Sequence, residues 1–136
     1  MSIPTPADVF HRHARPLLAP EPHNPATDPP FRLLWEEGIR GARLLPNTKF
    51  VALTLATCSA WDTGRIPADA QPHLGGLIGL TRVDVALIVI SLKILEQRGW
   101  IRRANRRQGW NEADVELAIP GPIMRRLLKK ARTART

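Results

Sequence analysis

Residues 74–100, LGGLIGLTRVDVALIVISLKILEQRGW, decide how the chain folds. Leu74 and Leu77 give a short helix an apolar face, and Gly79 can take the left-handed conformation that ends it. Leu80 then plugs the turn and Thr81 caps the next helix, with Asp84 three residues on completing an approximate capping box. A carboxylate in that first turn also suits the positive end of the helix dipole. Between Val83 and Leu95 nearly every residue is apolar, Gly99 ends this long helix, and Trp100-Ile101 begins a new element. The run Val85-Ala86-Leu87-Ile88-Val89-Ile90 has no polar side, and a helix apolar all round is expected to be buried all round. Its cover would be the helix near Phe31, the C-terminal helix or a second subunit.

Working outward, residues 1–30 hold eight of the thirteen prolines, so no long element fits there. A short helix over residues 7–14 is the exception. The segment reads as a flexible Pro-rich arm whose His11, Arg12, His13 and Arg15 either lie along phosphate or are a plain disordered leader. The domain proper covers residues 31–136. Phe31, Leu34, Trp35, Gly38 and Ile39 fall at helical spacing, predicting an extra helix through about Ala42. Pro46 interrupts it. Asn47 or Thr48 then caps a second helix from Lys49 to about Ala60, with Phe50, Val51, Leu53, Thr54, Leu55 and Cys58 on its apolar side. Asp62-Thr63-Gly64 makes a turn, Arg65-Ile66-Pro67 a very short extended piece, and Pro72 the first position of the short helix. After Gly99, Trp100–Arg103 and Val115–Ile119 read as two strands around a turn at residues 105–109, the second alternating at period two. Ile123, Met124, Leu127 and Leu128 define a basic C-terminal helix over residues 121–132 that frays after Arg132.

The chain has 136 residues, 43% of them hydrophobic, which suits a single core. Its formal net charge is +8, and from Gly99 onward ten Arg or Lys face only Glu112, Asp114 and Glu116. Concentration of charge in the hairpin and tail favours a polyanionic partner over a generally basic composition. The single cysteine, Cys58, excludes an internal disulfide and reads as a core residue. No apolar run is long enough to span a membrane and the start lacks a signal-peptide core, so a cytoplasmic protein is expected.

The order helix, short strand, helix, turn, helix, hairpin resembles a winged helix-turn-helix domain. The likeness is to MarR- and GntR-like transcription regulators of bacteria and their mobile elements. Its matching residues are Gly64-Arg65-Ile66-Pro67 as a short first strand, Leu74-Gly75 with Gly79-Leu80-Thr81 as the turn signature, and Leu92, Leu95, Glu96 and Arg98-Gly99-Trp100-Ile101 as the passage into the wing. It covers roughly residues 47–119. The implied fold class is α+β, a winged helix-turn-helix with an extra N-terminal helix and a C-terminal basic helix. Gly79 and Gly99 lie 20 positions apart, wider than in such regulators, which implies nearly one extra turn in the recognition helix.

The resemblance implies double-stranded DNA binding, as a transcriptional regulator and a homodimer. Arg102, Arg103, Arg106 and Arg107, with Asn105 and Gln108, would hold the minor groove or the backbone. Thr81, Arg82 and Asp84 would lie at the major groove, Lys49 and His73 at helix starts would touch phosphate, and Arg125 and Lys129 in the tail would add contacts. Trp110 is expected to pack on the domain. The alternative is an adaptor that keeps the fold and binds a protein partner through the apolar long helix. Catalysis is not expected: no Cys/His ligand set occurs, no Gly-rich phosphate loop follows a strand and no carboxylate pair falls in an obvious apolar pocket, so neither cofactor nor metal is expected.

Overall fold

The structure, a computed structural model, describes residues 23–134; the helix expected over residues 7–14 and the basic residues around it lie outside them. The described chain is α+β. Its elements are α1 (Phe31–Gly41), α2 (Pro46–Thr57), a 3₁₀ turn (Ala68–Ala70), α3 (His73–Thr81), α4 (Val85–Gln97), β1 (Ile101–Arg103), β2 (Val115–Leu117) and α5 (Gly121–Ala134). Helix α2 packs on α1, α3 and α4, and α5 lies on α1. The two strands pair antiparallel, with Ile101 opposite Leu117, Arg102 opposite Glu116 and Arg103 opposite Val115.

Helix α1 buries the positions its spacing predicts, Leu34, Trp35, Gly38 and Ile39. Trp35 staples it to the sheet: its Nε1–H is shared between the carbonyls of Trp100 (3.0 Å) and Ala118 (2.9 Å). The two indoles meet edge to face with centroids 6.1 Å apart. Gly38 permits this approach, since an added Cβ would lie 2.8 Å from Trp100 Cη2. Before α1, residues 23–30 are seated by Asp28. Its buried carboxylate accepts from the Asn24 backbone (2.9 Å) and, bidentately, from Arg132 of α5 (3.1 and 3.0 Å). Helix α5 therefore continues past Arg132, where fraying was expected.

Helix α2 begins at Pro46 and not at Lys49. Proline fits the first helical position, where its missing N–H has no intrahelical partner to lose. Neither Asn47 nor Thr48 caps it. Thr48 is instead buried, with Oγ1 3.3 Å from Ser91 Oγ of α4. The helix stops at Thr57, short of Ala60, and Cys58 forms its C-cap, partly buried against the core. Phe50, expected on the apolar side, is 47% exposed.

The turn between α3 and α4 is built differently from the expectation. Pro72 precedes α3 as its N-cap, and His73 opens the helix with φ of 51°. Gly79 lies inside α3; the left-handed residue that ends it is Arg82, with φ of 57°. Thr81 does not cap α4. Its hydroxyl donates back to Leu77 O (2.6 Å) and accepts from Val83 N (3.2 Å). Asp84 takes the N-cap, its carboxylate accepting from Ala86 N at 3.2 Å, in keeping with the stronger capping tendency of Asp over Thr. Leu80 is 60% exposed and plugs nothing.

Helix α4 starts at Val85, two residues later than expected, and buries Ile88, Ser91, Leu92 and Leu95. Of the covers expected for its remaining sides, the two within the chain are not found. Val85, Leu87 and Ile90 are exposed, and neither α1 nor α5 packs over them. Its end matches the sequence: Gly99 at φ of 86° donates to Glu96 O (3.1 Å) and Trp100 N donates to Leu95 O (2.9 Å), a Schellman closure.

Residues 65–67, expected as a first strand, join no strand. Pro67 has no N–H to offer a ladder, and the Gln71 side chain stands in its place. The Gln71 amide donates to Ile66 O (3.1 Å) and Val115 O (3.0 Å) and accepts from Val115 N (2.9 Å). The two paired strands are also shorter than the segments read from the sequence. No helix among the described residues is long and apolar enough to cross a membrane.

Candidate nucleic-acid interface

The β1–β2 hairpin carries the densest group of candidate residues, and its local chemistry divides them. The tip closes as an Asx turn, Asn105 Oδ1 accepting from Arg107 N (3.0 Å), while Gln108 N donates to Asn105 O (3.1 Å). Trp110 folds under the loop and is buried, as expected of a packing residue. Arg103 stacks on it, with the guanidinium 4.6 Å from the ring centroid. The same guanidinium grips Glu96 of α4 through Nε (2.8 Å) and Nη2 (3.1 Å), and donates from Nη1 to Gln108 O (2.9 Å). Arg103 thus holds the hairpin to α4 and has little left to offer a ligand.

Arg102, Arg106 and Arg107 are exposed, and among the described residues their guanidinium groups make no hydrogen bond or ion pair. These three are the hairpin's available cations. Asn105 is engaged in the turn, and Gln108 is half-buried.

The remaining candidates are scattered. Lys49 donates its ammonium to Arg40 O at the end of α1 (2.8 Å), a favourable place for a cation on the negative pole of a helix. His73 Nε2 sits 2.9 Å from Asp114 Oδ1, and Leu74 N donates to Trp110 O (3.2 Å), so the start of α3 is fastened to the hairpin. Thr81 is buried, Asp84 caps α4, and Arg82 is exposed between them. Arg125 is half-buried and Lys129 exposed on α5, which rests on α1 away from the α3–α4 turn.

Facing solvent, α4 presents Ala86, Leu87, Ile90, Lys93 and Gln97, and α3 adds Ile78 and Leu80. Side chains that read base edges need paired donors and acceptors; apolar ones reach only the thymine methyl. This surface is therefore poorly equipped for base reading and well equipped for apolar contact.

Glu96 is the functional neighbour that sequence reasoning missed. It lies seven residues before Arg103 across the Gly99 turn, and an acid so placed ahead of a strand arginine was the available signal. A groove of about 880 Å³ also opens between residues 63–67 and β2, walled by Arg65, Gln71, Asp114 and Glu116. Among the described residues no group of three His, Cys, Asp or Glu side chains converges on a metal position. No protein-family model, curated protein or solved structure matches the chain.

Proposed function

We propose that the protein is a winged helix-turn-helix regulator that binds double-stranded DNA through its hairpin, contacting phosphate or the minor groove more than base edges in the major groove. The supporting observation is the division among the hairpin arginines. Arg103 fixes the loop, and that leaves Arg102, Arg106 and Arg107 projecting from a rigid support with free guanidinium groups. Preorganised cations lose less freedom on meeting phosphate than cations on a floppy tail. Binding that rests on backbone contact and groove shape suits the apolar outward side of α4. Transcription control is the cellular role that follows, including that of a mobile element.

The test is binding to random-sequence duplex across a salt series, comparing wild type with Arg102→Gln/Arg106→Gln/Arg107→Gln. Removing one cation from the phosphates lowers the slope of log Kobs against log salt by about 0.9. An unchanged slope in the triple variant, or no wild-type binding at about 50 mM salt, removes the hairpin from DNA.

A second reading is favoured by a different observation, the exposed Ile78, Leu80, Val85, Leu87 and Ile90 on α3 and α4. Exposed apolar side chains on α3 and α4, of which Leu87 and Ile90 share one side of α4, suit a protein partner or a second copy in a homodimer. Sedimentation of wild type and Leu87→Glu/Ile90→Glu over a concentration range separates these from a monomer that leaves the surface bare.

A further inference from the structure

Four cations that are scattered in sequence meet at the corner between α1 and α2. Arg40 lies in the last turn of α1 and Arg43 in the loop after it. Lys49 of α2 donates to Arg40 O (2.8 Å), and Arg98, at the end of α4, donates through Nη1 to Arg43 O (2.8 Å). Two carbonyls three residues apart thus draw cations from two other helices to one place.

The acids nearest in sequence are engaged elsewhere. Glu36 pairs with Arg32 (2.9 Å), Glu37 with Lys130 (3.4 Å), and Glu96 with Arg103 (2.8 Å). The carbonyl end of α1 accounts for Lys49 and for Arg40 in its last turn, whereas Arg98 closes a loop carbonyl beyond the helix. That account does not reach Arg43, and both Arg40 and Arg43 are exposed and, among the described residues, have no side-chain hydrogen bond or ion pair. Both extend from the short stretch of backbone to which Lys49 and Arg98 are bonded, so four cations share residues 40–43 and their tethers, an arrangement that a polyanion would relieve.

We propose that this corner is a second phosphate-contacting surface, which grips the backbone of the same DNA duplex that the hairpin engages. The proposal rests on the DNA-binding function above. Reach supports one duplex for both surfaces. Arg98 and hairpin Arg106 are eight residues apart, at most about 26 Å of extended chain, against about 34 Å for a turn of B-DNA. Arg40 and Arg43 act as charges on phosphate and carry no base preference. The two tethers hold the end of α1 and the loop after it, which display them.

The experiment measures anisotropy of a labelled random-sequence duplex of about two turns across a salt series, for four proteins: wild type, Arg40→Gln/Arg43→Gln, the hairpin triple variant, and the two combined. Arg40→Gln/Arg43→Gln spares both tethers, and an unchanged Tm confirms that the loop persists. The expected result is a slope lowered by about 1.8, for two phosphate contacts at about 0.9 each. Affinity should fall at least tenfold at low salt, and the loss should add to that of the hairpin variant. A slope unchanged in Arg40→Gln/Arg43→Gln, while the hairpin variant weakens, overturns the corner and leaves the hairpin standing. The reverse pattern keeps the corner and removes the hairpin. Weaker affinity with an unchanged slope also refutes phosphate contact, and no wild-type binding at about 50 mM salt refutes both surfaces.

Discussion

Replacing Arg103 by glutamine should damage the fold and spare the proposed DNA binding per folded molecule, the reverse of what Arg106→Gln should do. The bidentate bond to Glu96 joins side chains that are 21% and 25% exposed, so it is screened less than a surface pair but is not dry. Hydrogen bonds to charged groups contribute about 1.5–3 kcal/mol when well buried, and partial exposure places this pair at the lower end. Stacking on Trp110 contributes about 0.5–1 kcal/mol, and the bond to Gln108 O disappears with the guanidinium. The total is about 2–3 kcal/mol, a Tm lower by roughly 6–12 °C for a domain of this size. Urea titration followed by tryptophan fluorescence measures it. A double-mutant cycle with Glu96→Gln isolates a coupling of about 1–2 kcal/mol. The salt slope of DNA binding should stay unchanged in Arg103→Gln and drop by about 0.9 in Arg106→Gln. If Arg103→Gln instead shifts stability by less than about 0.5 kcal/mol and lowers the slope as Arg106→Gln does, Arg103 is a ligand contact, and the proposed division of the hairpin arginines is wrong.

Other substitutions probe the frame around this hairpin. Gly64 has φ of 69°, and a Cβ there would run into the Phe31 ring, so Gly64→Ala should cost about 2–5 kcal/mol from backbone strain plus overpacking. Gly75 meets nothing within 4 Å, so Gly75→Ala should gain about 0.5–1 kcal/mol in the same denaturation assay. Gln71→Leu strands the Val115 N–H and C=O, a loss of about 2–4 kcal/mol, and should speed hydrogen exchange at the Val115 amide. Asp84→Ala should lower stability by about 1 kcal/mol, while Thr81→Ala should leave the start of α4 intact by circular dichroism and near-terminal amide exchange.

Much of the architecture was legible because it depends on local chemistry. Helical spacing of Leu34, Trp35, Gly38 and Ile39 defined α1, and Gly99 marked the end of α4, since a residue at φ of 86° strongly favours glycine. The α3–α4 turn was misread where two residues competed for one task. Gly79 looked like the left-handed residue, but the geometry assigns that place to Arg82 and the cap to Asp84. Hydrophobicity overstated the burial of α4, because composition records that Leu87 and Ile90 are apolar and not whether a neighbour covers them. Among the candidate site residues, charge was visible and engagement was not. Nothing local to His73 tells that Asp114 waits 41 residues on, and the nearer partners, Glu96 for Arg103 and Arg40 O for Lys49, are set by how the Gly99 turn and the α1–α2 corner fold back. The corner cations were hidden for the same reason, since Arg43 and Arg98 lie 55 residues apart.

The Trp35 staple also has a consequence for the order of folding. Its two acceptors, the carbonyls of Trp100 and Ala118, are 65 and 83 residues away along the chain. Closing loops of that length is entropically unfavourable until other contacts have shortened them. The sequence-adjacent pairs α1–α2, α3–α4 and β1–β2 need no such closure, so the Trp35 bridge from α1 to the sheet should form late, onto a sheet base already present. Trp35→Phe should then act mainly on the unfolding limb of a chevron plot, with a φ-value near zero. The domain's kinetic lifetime would be set at the indole that bridges its two ends.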